Sequence, residues 1–176
     1  MEIKIDLPLT AEKVAQLHAG DTVKLSGVIY TARDAAHKRL IAALDNNEPL
    51  PVELKDQTIY FAGPCPAPPG RPIGSAGPTT SGRMDAYSPR LIRECGLRGM
   101  IGKGERNSNV IEAMSECGAI YFAATGGAGA LIAKSIKAAE VVAFEDLGPE
   151  AIRKLTVEDF PVIVAIDDKN GNLYNR

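Results

Sequence analysis

No apolar run in this 176-residue sequence approaches the roughly 18 residues a membrane-spanning helix needs, which argues against an integral helical membrane protein. The opening residues, MEIKIDLPLTAEK, lack the basic stretch and apolar core of a secretory leader, so the cytoplasm is the expected compartment. Cysteine is scarce. Cys65, Cys95 and Cys117 lie 30 and 22 residues apart, too far for the short paired spacings of zinc or redox motifs. An odd count without a leader also speaks against a disulfide framework, and packed, reduced thiols are the simpler reading. Histidine is scarcer, with only His18 and His37, so no Ser–His–Asp arrangement can be nominated. Nor is positive charge in excess: 20 Lys and Arg against 22 Asp and Glu leave a net charge of −2, which implies no nucleic-acid partner.

What remains is the balance of a globular domain, 45% hydrophobic and 24% charged, long enough to bury a core as one unit over residues 1–176. Charge is distributed unevenly. Residues 71–106 hold seven Arg or Lys and three Asp or Glu, whereas residues 140–168 hold two and eight. A basic segment inside an acidic chain suggests a local anion site, although two oppositely charged solubilising faces would look the same.

Periodicity gives a coarse α/β reading. Thr10 is suited to cap a short helix through Val14 and Leu17 that Gly20 stops. Residues 22–31 alternate, with Val23, Leu25 and Ile29 on one face, as a strand would. Residues 34–44 carry the helical stripe Leu40, Ile41 and Leu44, with Asp34 as a candidate cap, and 58–62 form another short strand. Residues 61–83 then hold six prolines and five glycines among 23 positions, which excludes regular helix or central strand. The preceding 60 residues are too few to stand alone, so this stretch is expected to be a loop held against the domain rather than a linker. Beyond it, Ser88-Pro89 opens a helix closed by Gly96, followed by a strand over 99–102 and a helix over 107–117. Further expectations are a strand over 119–125, a helix over 128–136, a strand over 141–145, a helix over 149–155, a buried strand over 162–167 and a turn at Asn170-Gly171.

Chemistry concentrates in a few places. Residues 77–85, GPTTSGRMD, set three hydroxyls between glycines, where the backbone can approach a ligand closely. Arg83 adds a planar fork able to grip a carboxylate with two parallel hydrogen bonds. A Ser/Thr turn with a local salt bridge would have the same sequence. Lys103 sits between glycines in MIGKG just after a strand, a usual place for catalytic side chains in α/β folds, although a surface-turn lysine would also fit. Arg33 stands at the end of another strand, with His37 four residues on in the helix it opens. Residues 125–129, TGGAG, join a strand to a helix but lack the third glycine of a dinucleotide fingerprint. Anion grips and hydroxyls are therefore present, but no electrophile is.

Taken together, GPTTSGRMD, the downstream GMIGKG, Gly20-Asp21, residues 31–37, Ala62-Gly63-Pro64 and residues 125–130 resemble the beta subunit, or C-terminal domain, of the class I iron–sulfur fumarate hydratases and of L-tartrate dehydratases. The resemblance spans nearly the whole chain. It implies a swivelling β/β/α domain with mixed sheets, flanking helices and a long Pro/Gly-rich loop. It also implies a hetero-oligomer in which a partner alpha subunit carries a [4Fe–4S] cluster, whose open iron supplies the missing Lewis acid. No metal ligand is expected from this chain, and its three cysteines are not recruited. Carried across position by position, Thr79 matches a proposed catalytic base, Arg83 and Lys103 match carboxylate contacts, and Arg33 matches a further one. Lys103 would also favour a Thr79 alkoxide, since an unassisted threonine hydroxyl is a poor base. No match gives His37 a role. The implied reaction is reversible hydration of fumarate to (S)-malate at a site shared between two subunits. Dehydration of tartrate, a non-catalytic dicarboxylate-binding module and a purely structural subunit stay open as alternatives.

Overall fold

In the strands at residues 58–60, 99–102 and 120–124, successive side chains face opposite sides and both sides are buried, whereas the strands at 2–6 and 136–143 are partly exposed. Tyr60, Ile101 and Phe122 point into one core together with Leu25, Leu155 and Phe160. Their neighbours Ile59, Phe61, Met100 and Tyr121 point into a second, against Leu40, Leu91, Val110 and Met114 from helices. That is the pattern of parallel strands covered on both faces. The computed structural model describes residues 2–63, 69–72, 77–124 and 129–175.

The strands are β1 (Glu2–Asp6), β2 (Thr22–Thr31), β3 (Thr58–Tyr60), β4 (Gly99–Gly102), β5 (Ile120–Ala124), β6 (Ile136–Ala143) and β7 (Ile152–Ile166), and they form one mixed seven-stranded sheet. Strands β1 to β5 run parallel in sequence order, each against the next. Strand β7 runs antiparallel to β5, β6 and β2, so pairing closes on itself through β2, β3, β4, β5 and β7. The first core fills the inside of this closed circuit, and the second lies beneath helices α2 (Asp34–Asp45), α3 (Ser88–Cys95) and α4 (Ser108–Cys117). Two smaller helices, α1 (Ala11–Ala15) and α5 (Gly129–Ser135), complete the described set.

Local chemistry ends the helices as the sequence suggests. Thr10 Oγ1 accepts from Lys13 N, Asn107 Oδ1 accepts from Val110 N, and Gly96 and Gly118 take the left-handed conformation that stops α3 and α4. Two expected caps do other work. Ser88 is the first residue of α3, and its hydroxyl donates to the Met84 carbonyl. Asp34 turns away from its helix to an arginine described below.

Three expectations need correction. Residues 149–155 are not a helix: a 3-10 segment (Glu145–Glu150) gives way to β7, which runs unbroken through the region expected only as a short strand over 162–167. The Ile152–Leu155 spacing suits either element, but nine residue pairs with β2 supply a ladder that a helix could not. The sixth strand begins at Ile136 rather than 141, because it follows the neighbouring β7. Strand β1 went unread, and its alternating EIKID lies in register with β2. Among the described residues no helix is long and apolar enough to cross a membrane.

Candidate active site

Parallel strands share an end, and in this sheet the carboxyl ends of β2, β3 and β4 gather the residues singled out from sequence. Arg33 follows β2 and Lys103 follows β4. After the Pro/Gly-rich stretch, residues 77–80 return to the same edge: Thr79 N donates to the Phe61 carbonyl beyond β3, at 2.8 Å. Ser81 N donates to the Lys103 carbonyl at 2.9 Å, and Thr80 forms an isolated parallel bridge with Lys103. The GPTTSGRMD segment is thus wedged between two strand ends, where open α/β sheets usually bind ligands.

The cationic residues converge. Arg83 Nε and Nη2 donate to the two carboxylate oxygens of Asp34 at 2.9 and 2.7 Å, which ties the segment to the start of α2. The Arg83 hydrogen bond holds the Asp34 carboxyl below its usual pKa, and Asp34 in turn raises that of Arg83. Arg33 Nε lies 3.8 Å from the same carboxylate and is buried with no hydrogen-bond partner. The Arg33 side chain crosses Gly63, where an added Cβ would come within 2.8 Å of Arg33 Cδ. Lys103 is exposed and, among the described residues, makes no ion pair. Glu150 accepts from Ala35 N beside them, so three cations and two carboxylates line this edge, leaving net positive charge for a small anion.

One detail differs from expectation. The register sets Thr80, not Thr79, opposite Lys103, and bridged residues in parallel strands face the same side. Help from Lys103 to a Thr79 alkoxide thus finds no support in the pairing itself.

Sequence reasoning missed the layer beneath. Arg106 is 6% exposed, with Nε donating to Asp85 Oδ1 at 2.6 Å and Nη2 to Ser88 Oγ at 2.8 Å. Its guanidinium lies between the rings of Phe61 and Tyr121, 5.1 and 5.0 Å from their centroids. The other Asp85 oxygen accepts from Asn107 N. The Tyr121 hydroxyl bonds both Ser81 Oγ, at 2.7 Å, and the Gly104 carbonyl, at 2.8 Å. The one available signal was Asp85 closing the motif, since a buried carboxylate needs a partner.

Gly102 makes this layer possible, because a Cβ there would overlap Ser81 Oγ and press on Phe61. Gly102→Ala is expected to cost about 1–3 kcal/mol from overpacking, measured by urea denaturation, and to dislodge the Thr79–Arg83 segment.

His37 is fully buried, edge-on to Phe61, with Nδ1 2.9 Å from the Arg33 carbonyl and Nε2 unpartnered. Burial lowers its pKa from 6.5 to about 4. The fold accordingly prefers the neutral ring, a contribution complete above pH 6.5 and lost as pH falls toward 4. Between pH 7 and 4.5, His37→Phe should lose less unfolding free energy than the parent by about 2.5 kcal/mol; equal losses would contradict the buried neutral state.

Neither cysteine among the described residues fits a cluster at this edge. Cys95 and Cys117 end α3 and α4, which lead into the amino ends of β4 and β5, opposite the site. Cys65 and residues 125–128 of the TGGAG turn lie outside the described residues. Among the described residues no group of three His, Cys, Asp or Glu could hold a metal ion.

With this geometry in place, comparison with known proteins is informative. The family model described as "Fumarase C-terminus" matches residues 1–176. "Fumarate hydratase 2" of Leishmania major is 40% identical over 179 residues, covering 99% of this chain and 32% of that protein. "Fumarate hydratase class I, aerobic" of Escherichia coli (strain K12) is 38% identical, covering 99% and 33%. "Putative L(+)-tartrate dehydratase subunit beta" of Methanocaldococcus jannaschii is 40% identical over 173 residues, covering 96% of this chain and 89% of that protein. The chain thus spans about a third of the length of the fumarate hydratases it matches, but most of the beta subunit.

Proposed function

The chain belongs to the Fumarase C-terminus family, and on that footing we propose that it is the substrate-gripping half of a hydro-lyase acting on a small di-acid. The reaction assigned to it is reversible addition of water across the double bond of fumarate, giving (S)-malate. The observation that carries this reading is the convergence of Arg33, Arg83, Lys103 and Thr79 at one carboxyl edge of the sheet. Two carboxylates need two cationic grips. Arg33 and Arg83 flank Asp34, and Lys103 stands on the neighbouring strand end. Counting Asp34 and Glu150, which accepts from Ala35 N beside it, the edge still carries net positive charge, which suits an anionic substrate.

The chain's own residues bind and orient. Arg83 keeps its Nε/Nη2 edge on Asp34, which leaves Nη1 for a substrate carboxylate. Lys103 takes the other end of the substrate, and Arg33 supports the first carboxylate. Thr79 removes the proton from the carbon beside a carboxylate in the malate-to-fumarate direction, and Thr80 lies next to it as the hydroxyl in register with Lys103. A [4Fe–4S] cluster on an alpha-type partner chain supplies Lewis acidity toward the substrate hydroxyl. A domain that swivels against that partner is the arrangement we assign to the complex, in the cytoplasm.

Tartrate is the second substrate to test, because the tartrate dehydratase subunit is matched over most of its length. The experiment is anaerobic co-expression with the cluster-bearing partner, followed by assay of fumarate, malate and tartrate. Turnover of fumarate or malate supports the primary assignment, and turnover of tartrate alone moves it to the second. Binding of a di-acid by the chain with no turnover of any of them in the cluster-loaded complex would leave a non-catalytic binding module.

A further inference from the structure

Two loops carry the proposed chemistry, residues 79–83 and 103–104, and their backbones are aligned by the Thr80–Lys103 bridge, which includes the bond from Ser81 N to the Lys103 carbonyl. Beneath them lies a set of groups with no part in the proposed reaction. We infer that the Tyr121 hydroxyl and the Arg106 guanidinium form a buried strut that sets the Thr79–Arg83 segment against the Lys103 loop, making both of them positioning residues for the reaction. This inference rests on the site reading given above.

The connectivity is specific. Tyr121 stands on β5, a different strand from either loop, and so offers both a common reference point. Gly104 presents a carbonyl, which can only accept, so the single phenol proton goes there and Ser81 donates its own hydroxyl proton to the phenol oxygen. Tyr174 stands beside the same phenol as a further neighbour, so the Tyr121 hydroxyl joins Ser81 to Gly104 at a junction that Tyr174 flanks. Burial raises the Tyr121 pKa, opposed by Ser81 and Arg106 and reinforced by Tyr174, so the phenol stays protonated and able to donate.

Arg106 does the same work at the other end of the motif. It belongs to the loop after Lys103, yet its Nε bond reaches Asp85, the last residue of the GPTTSGRMD motif and two beyond Arg83. Asp85 returns a second bond, from Asn107 N, so that the carboxylate is held by two consecutive residues of the Lys103 loop. A guanidinium with three partners between two aromatic faces has one orientation available. A solely structural salt bridge would not need to join the two ends of the same active segment to the same opposing loop.

Misplacing reacting groups by about 1 Å costs on the order of 100-fold in rate. Tyr121→Phe removes one oxygen and keeps the ring under Arg106, which makes it the gentle test. In the assembled, cluster-loaded enzyme it should lower kcat about 10- to 100-fold with a smaller change in KM, while the melting temperature falls by only a few degrees. Ser81→Ala removes only the Ser81 end of the strut and should lose no more than Tyr121→Phe, and the double variant should be no worse than Tyr121→Phe alone, because that change already deletes both bonds. Asp85→Asn and Arg106→Lys are the harsher companions, and Arg106→Lys should not restore rate because a single ammonium cannot reach Asp85 and Ser88 together. Unchanged kcat in Tyr121→Phe, or a loss that disappears at lower temperature together with recovered folding, would overturn the strut. Lys103→Ala run alongside separates the two levels. If Lys103→Ala abolishes turnover and Tyr121→Phe does not affect it, only the strut fails. If Lys103→Ala keeps full rate, the site reading fails and the strut with it.

Discussion

Thr79→Ala is expected to lower kcat of the assembled enzyme by about 1,000-fold, within the range a positioned acid–base group supplies, while leaving assembly intact. Thr79 is half-buried, and its backbone N–H rather than its side chain makes the contact to Phe61, so truncation to alanine leaves the segment anchored. KM should change little, because the hydroxyl acts on a carbon-bound proton and not on a carboxylate. Thr80→Ala is the necessary companion. The bridge places Thr80 beside Lys103, so a large loss in Thr80→Ala with a small one in Thr79→Ala would move the base by one residue. A rate unchanged in both would remove threonine from the chemistry.

Arg83→Lys should cut kcat/KM about 100-fold with both parameters affected, since the Nε/Nη2 edge that holds Asp34 and the free Nη1 are lost together. Lysine keeps the charge but cannot serve two directions at once. Folding should scarcely respond, because the ion pair is open to solvent on both sides, at 49% and 38% exposure, and such pairs contribute little to stability. The separation of the two effects is the point: steady-state kinetics move and the thermal melt does not. Kinetics like the parent's would take Arg83 out of the substrate site and reduce it to a tether for α2.

Much of this arrangement was readable from the chain, and the reasons are physical. Thr22–Thr31 shows its strand because alternation is a local property, and Gly96 ends its helix because a left-handed residue is needed at that point. The strand at Ile152–Ile166 was misread because Ile152 and Leu155 suit a helix as well as a strand, and what decides is pairing with β2, more than a hundred residues earlier. At the candidate site, GPTTSGRMD, Lys103 and Arg33 stand out in the sequence as candidates for gripping an anion, and the fold brings them to one sheet edge. Asp34 was read as a cap because its carboxylate opens a helix, whereas its partner lies 49 residues on in Arg83. The sequence around Arg106, GERN, is polar throughout and carries no sign of burial. The burial of this arginine depends on Phe61 and Tyr121 from two separate strands, and nothing local to Arg106 announces either. A further element follows from neighbours alone: Gly102 reads as part of a glycine turn, yet its job is to leave room for the Ser81 hydroxyl.

The central claim is that this chain supplies half of a shared site, and an anaerobic stoichiometric titration tests it most directly. The chain is added in steps to a fixed amount of cluster-loaded alpha partner, and conversion of malate to fumarate is followed by absorbance. The account predicts no turnover from either protein alone, a rate that rises linearly and breaks at one equivalent, and a flat line when the Thr79→Ala chain is titrated instead. Full turnover by the partner alone, or a Thr79→Ala curve that overlays the parent's, would contradict it.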